Sequence, residues 1–327
     1  MAEKLFFKTP LTPHLLLVDG LPRAGKMLTA KLVSHFEGIE FIQVREPVDH
    51  VPMMYGLGQF DADSAAAFLR LQLDVAIHDR AIGRNLNMRA SDGTTLLRSG
   101  DPTVYEKRAE NPDDLAALSA FLESGLVPFF FTHQSLPFIS LFFRAAADLH
   151  VLEIVRHPVT LAASWYRRGW GDRWGTDPRV FTLMADRNSH AIPWFALDWA
   201  EEFVEGSPMD RVLRSVLALT EACNAGLSAL TDEQRERILM ISYEQLATDT
   251  DNAIARMETF LGTRRLPYIS EVCRREKLPK SFDRTAFSQC EVLINSCGSK
   301  KLVNQLFEAA QAYEENWDFS PTHEVRT

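Results

Sequence analysis

Short apolar runs alternate with longer stretches of helical period along most of this chain. The runs are Leu15–Val18, Glu40–Val44, Val127–Phe131, Val151–Val155 and Ile238–Ile241. Each has the length and the aromatic or branched content of a buried strand. Between them, apolar residues recur three and four positions apart. Such patterns run from Leu28 to Phe36, from about Asp61 to Arg89, through most of 185–236, and from Asp251 to Leu261. Thr250 can cap the last of these, Gly262 can close it, and a further helix starts at Asn111-Pro112. Strands alternating with helices predict a parallel sheet with helices on both faces. No repeat or linker divides the sequence, so residues 1–327 read as a single domain, with 45–125 and 185–236 as helical cap insertions. Within the long helical pattern, the stripe Phe68, Leu71, Val75 reads as core.

Three of the predicted strands end in chemistry. Leu15–Val18 and Asp19 lead into Gly20-Leu21-Pro22-Arg23-Ala24-Gly25-Lys26-Met27 and then a helix. Strand, glycine loop and helix start together cradle phosphate, because glycines admit an anion close to backbone N–H groups. Gly20, four residues, Gly25 and Lys26 also have the Walker A spacing of P-loop kinases and NTPases. In that motif a hydroxyl residue follows and binds Mg²⁺, whereas Met27 stands here. The loop points to a phosphate without choosing the nucleotide. The strand Val151–Val155 delivers Arg156 to its tip, Pro158 opens a helix, and Ser164 follows eight residues after Arg156. An arginine fork and a hydroxyl there can hold a second phosphate. The strand Val127–Phe131 ends in Thr132-His133, twenty-three residues before Arg156.

The order strand, Arg156, Pro158, Ser164 resembles the 3′-phosphate-binding segment of the sulfotransferase family. Pro22, Arg23 and Gly25 are similar to its 5′-phosphosulfate loop, while Ala24, Lys26 and Met27 depart from it and two loop threonines are absent. Thr132-His133, with Leu136-Pro137 after two inserted residues, resembles the segment that carries the catalytic histidine, with Phe131 in place of a lysine. Tyr243-Glu244-Gln245-Leu246, followed by a helix ending Phe260-Leu261-Gly262, resembles a later segment whose tyrosine lies near adenine. Leu28 replaces the aromatic residue that stacks on adenine, and Cys297-Gly298-Ser299-Lys300-Lys301 is at best a remnant of a late Gly-x-x-Gly-x-x-Lys segment. The matches span residues 15–262 in the family's order, as in a divergent, bacterial-type member.

That resemblance implies a P-loop-like three-layer α/β sandwich. It implies sulfuryl transfer from 3′-phosphoadenosine 5′-phosphosulfate to a hydroxyl or amine, with His133 as the base. Arg23 and Lys26 would stabilise the leaving 5′-phosphate. Gly20, Pro22, Arg23, Ala24, Gly25, Lys26, Met27, Arg156, Ser164 and Tyr243 would bind the donor, and no metal would be needed. The acceptor would be a small molecule, a carbohydrate or a lipid. An ATP-dependent small-molecule kinase and a non-catalytic nucleotide-binding relative are the alternatives.

A hydrophobic fraction of 46% supports a large core, and a net charge of −9 disfavours a nucleic-acid partner. No apolar run approaches the roughly 20 residues of a membrane span, and Met1 to Lys8 lacks the apolar region of a signal peptide. Cys223, Cys273, Cys290 and Cys297 have neither metal-ligand nor disulfide spacing. The expectation is a reduced, cytoplasmic protein. Trp165 to Gly175, rich in tryptophan, arginine and glycine, reads as a mobile loop that gates the acceptor.

Overall fold

The computed structural model of the chain describes residues 5–6 and 9–321. The amino-terminal reading, Met1 to Lys8, lies almost wholly outside them.

All five predicted strands form, as β1 (His14–Asp19), β2 (Gln43–Val44), β3 (Phe129–Phe131), β4 (Asp148–Val155) and, after a separate hairpin, β7 (Ile238–Ser242). Their order is β2-β3-β1-β4-β7, and every pairing is parallel. The register sets Leu17 of β1 between Phe130 and Val151. The sheet is buried on both faces, which is why its strands read as unbroken apolar runs. Alternate residues feed two cores. Leu15, Leu17, Phe130 and Val151 join one, with helices α2 (Glu46–Gly56) and α3 (Ala62–Ala81) and the helices Pro158–Arg167, Pro208–Ser228 and Lys300–Trp317. Leu16, Val18, Phe129 and Leu152 join the other, with α1 (Lys26–Val33) and the helices Thr250–Leu261 and Ile269–Glu276. The three layers of the α/β sandwich are therefore present.

Several local expectations are corrected. Phe68, Leu71 and Val75 are 38%, 39% and 47% exposed, and α3 instead buries Ala65, Leu69, Leu73, Ala76 and Ile77. The helix carries apolar residues on both sides, so period alone does not choose a face. Its buried side also hides an ion pair, Arg70 with Asp74, that resembles a solvent face in sequence. The helix predicted at Asn111-Pro112 starts at Asp114, where the Asp113 carboxylate accepts from the Ala116 N–H at 2.9 Å. The Thr250 hydroxyl donates to the Leu246 carbonyl instead of capping its helix. The stretch 185–236 opens on an antiparallel hairpin, β5 (Met184–Arg187) with β6 (His190–Pro193). Trp165 to Gly175 is not an open loop. The helix Pro158–Arg167 turns at Gly169 into a short helix, Trp170–Arg173. The rings of Trp170 and Trp174 lie edge-on to Trp165, at 5.1 and 5.9 Å. Among the described residues, no helix is long and apolar enough to cross a membrane, and the four cysteines are free thiols.

Candidate active site

The glycine loop sits directly on the tips of the neighbouring strands. A Cβ on Gly20 (φ 143°) would lie 2.3 Å from the Ile154 carbonyl oxygen, and one on Gly25 (φ 114°) would lie 2.4 Å from the Tyr243 ring. Only glycine fits at either place. Arg23 also adopts a positive φ of 71°, which turns the loop back toward α1. The Pro22 carbonyl accepts from the Trp165 indole N–H at 2.6 Å, fixing the loop to the helix Pro158–Arg167. The Lys26 ammonium is buried beneath the loop. It donates to the Gly20 carbonyl at 2.6 Å and lies 5.1 Å from the centre of the Phe131 ring.

Two buried carboxyls stand beneath this loop. Asp19 accepts from the Thr132 hydroxyl at 2.9 Å and from the Ser135 and Leu136 N–H groups at 2.7 and 3.0 Å. It thereby ties the end of β1 to the turn that carries His133. Glu153 is its register partner on β4. Burial pushes both carboxyls above their ordinary range, Glu153 well above it with the Asp19 charge adding to the effect. Burial pushes the Lys26 ammonium down, and Asp19, Asp49 and Glu153 oppose that shift. An acid whose affinity for its proton rises on folding stabilises the protein below its unfolded range, and this contribution is lost as pH climbs above it. Glu153→Gln keeps the shape and removes the ionisation. Its thermal midpoint should exceed the native one by more at pH 8 than at pH 4.5, a difference on the order of 2–4 °C. Melting curves at the two pH values test this, and an equal offset at both would refute it.

His133 follows β3 and is held twice by one carboxylate. Its backbone N–H donates to Asp49 Oδ1 at 2.7 Å, and its Nδ1 lies 2.8 Å from Asp49 Oδ2. A carboxylate only accepts, so in the neutral ring Nδ1 carries the hydrogen and Nε2 the lone pair. Asp49 is buried, whereas the imidazole is 38% exposed.

On the other side of β1, Arg156 leaves the tip of β4. Its Nε donates to the Thr160 hydroxyl at 3.0 Å and its Nη1 to the Arg23 carbonyl at 2.9 Å, and its guanidinium stacks 4.8 Å from the centre of the Tyr243 ring. Burial, then the like charges of Arg168 and Arg156, pushes Arg23 below its ordinary range. None of these three arginines pairs with a carboxylate among the described residues. Guanidiniums without a counter-ion can hold an anion. Ser164 is half-buried one helical turn beyond Thr160, and Arg168 lies a further turn on.

The neighbouring histidine is a structural residue. His157 is 1% exposed, and its Nδ1 accepts from the Val159 N–H at 3.3 Å. Its Nε2 therefore carries the hydrogen and meets Glu314 at 3.0 Å. The His157 backbone N–H donates to Glu244 at 3.2 Å, and the Tyr313 hydroxyl donates to Glu244 at 2.6 Å. The helix Lys300–Trp317 is thus strapped across the tips of β4 and β7.

These elements enclose a cleft of about 630 Å³. Of the residues singled out in sequence, it brings together Pro22, Arg23, Gly25, Lys26, Met27, His133, Arg156 and Tyr243. Gly20, Ala24 and Ser164 lie outside its lining. Sequence reasoning missed Asp49, although it lies five residues after the predicted strand Glu40–Val44, where sites gather. It placed Arg168 in the acceptor-gating stretch, whereas the structure sets it one helical turn after Ser164, beside Arg23. Among the described residues, no three His, Cys, Asp or Glu side chains gather as a metal-ligand set.

No curated protein matches the sequence. Solved structures with a similar chain path include a sulfotransferase from Mycobacterium avium, 11% identical with TM-score 0.47, covering 95% of this chain and 78% of that one. The sulfotransferase domain of the Synechococcus PCC 7002 olefin synthase is 14% identical with TM-score 0.45, covering 98% of this chain and 99% of that one. A mouse sulfotransferase complexed with PAP is 14% identical with TM-score 0.36, covering 94% and 86%. A family model described as the sulfotransferase domain matches residues 16–306, nearly the whole sequence, and by that match the chain belongs to the sulfotransferase family.

Proposed function

We propose that this chain moves a sulfuryl group from 3′-phosphoadenosine 5′-phosphosulfate to a hydroxyl or amine of a small acceptor. The observation that carries this reading is the division of the cleft. Arginines without counter-ions stand on one side of the glycine loop, and a histidine oriented by a carboxylate stands on the other. Arg156, with Ser164 and Arg168, would hold the 3′-phosphate. Arg23 and the start of α1 would face the 5′-phosphosulfate, and Tyr243 would flank the nucleotide. The acceptor oxygen or nitrogen attacks sulfur in line, forming the new bond as the bond from sulfur to the 5′-phosphate oxygen breaks. His133 Nε2 takes the acceptor's proton. The charge that develops on the departing 3′,5′-ADP is met by Arg23 and Lys26. Residues 45–125 supply α2, and 185–236 supply Trp194, to the acceptor wall. Met27 leaves the loop without the hydroxyl that a kinase places on Mg²⁺.

Calorimetric titration with 3′,5′-ADP, 5′-AMP and ATP–Mg²⁺ tests the donor. The native protein should bind 3′,5′-ADP most tightly. Arg156→Ala should weaken that binding at least tenfold, about 1.4 kcal/mol, and leave 5′-AMP within about twofold. Equal binding of 3′,5′-ADP and 5′-AMP by the native protein would remove the reading.

A further inference from the structure

We infer that the acceptor carries a cationic amino group, and that Glu46 is the residue that reads it. This rests on the function proposed above and specifies its second substrate. Helix α2 lays Glu46, Asp49, His50 and Met53 on the cleft, at the spacing i, i+3, i+4 and i+7 that defines one helix face. Asp49 is committed to His133, and His50 Nε2 lies 3.2 Å from the Phe181 carbonyl. Glu46 is exposed on the cleft and has no hydrogen-bond or ion-pair partner among the described residues. The same cleft is also lined by the aromatic residues Trp170, Trp174, Phe181 and Trp194. The lysine and arginines in the lining, Arg23, Lys26 and Arg156, all belong to the glycine loop or the tip of β4.

The acceptor half thus offers aromatic faces and a free carboxylate, with no cation. An anionic acceptor would meet the unpaired Glu46 carboxylate and be repelled. A neutral apolar acceptor would strip water from Glu46 and return nothing to it. An ammonium group suits both surfaces, through attraction to the ring faces and pairing with the carboxylate. The body of the acceptor packs on the tryptophans, and its nucleophilic hydroxyl or amine reaches toward His133.

The test uses two aryl alcohols of similar size, 4-(2-aminoethyl)phenol and 4-propylphenol, with the native protein and Glu46→Gln. The native protein should show a kcat/KM at least tenfold higher for the amine. Glu46→Gln should reduce that ratio at least fivefold, and Glu46→Lys should bring it below one. A native ratio of one or less, or a ratio that Glu46→Gln leaves unchanged, overturns the inference. Quenching of tryptophan fluorescence by each phenol gives the same comparison without the donor. Should 3′,5′-ADP fail to bind, the sulfuryl-transfer reading falls while the quenching ratio still decides the role of Glu46.

Discussion

His133→Ala should remove most sulfuryl transfer, a loss of roughly 10²–10⁴-fold in kcat. The thermal midpoint and the affinity for 3′,5′-ADP should stay close to native. The reason is positional. The imidazole is partly exposed on the cleft, and the backbone N–H that Asp49 accepts survives in alanine. The substitution therefore removes the base and leaves the β3 tip anchored. Transfer assays, melting curves and titrations on the same preparation separate the possibilities. Full activity would pass the base role to another group, with Glu46 a candidate on the cleft and His157 excluded because it is buried under the strap. Loss of folding would make His133 a structural hydrogen-bonder.

Asp49→Asn should lower kcat by on the order of 10²-fold or more while KM and 3′,5′-ADP affinity move little. The amide oxygen still accepts from the His133 backbone N–H. The amide NH₂ then faces Nδ1 and makes it an acceptor, which moves the imidazole hydrogen to Nε2, the atom that should receive the acceptor's proton. The geometry persists and the tautomer is wrong. Separate measurement of kcat and KM distinguishes this from a packing defect, which would shift KM and the thermal midpoint together. Unchanged kcat would show that Asp49 only braces the turn.

The strands were legible because the sheet is covered on both faces, so burial wrote itself into the sequence as apolar runs. The glycine loop was legible for a local reason: close approach to Ile154 and Tyr243 demands glycine at two fixed places. What resisted reading was non-local. Asp49 and His133 are 84 residues apart, and nothing in either segment names the other. The buried face of α3 was hidden by Arg70 and Asp74, whose mutual pairing lets charge sit inside. The hairpin β5–β6 turns through Asn188 (φ 53°) and Ser189 (φ 65°), and a serine in the left-handed region does not announce a turn as glycine would. The residues proposed to hold the nucleotide, on the loop and at the tip of β4, came from pattern, while the arginines' lack of counter-ions emerged only in three dimensions.

The strap over the strand tips has a consequence for the order in which the molecule matures. All five strands and every residue proposed to touch the nucleotide have been synthesised once Tyr243 is added, but Tyr313 and Glu314, which hold Glu244 and His157 beside Arg156, come about 70 residues later. Synthesis runs at roughly 5–20 residues per second, so a nascent chain spends several seconds with Arg23 and Arg156 present and the strand tips unbraced. The β4 and β7 tips are thus among the last parts of the protein to be braced, and a nascent chain arrested before residue 313 would hold the proposed nucleotide-binding segments without that brace.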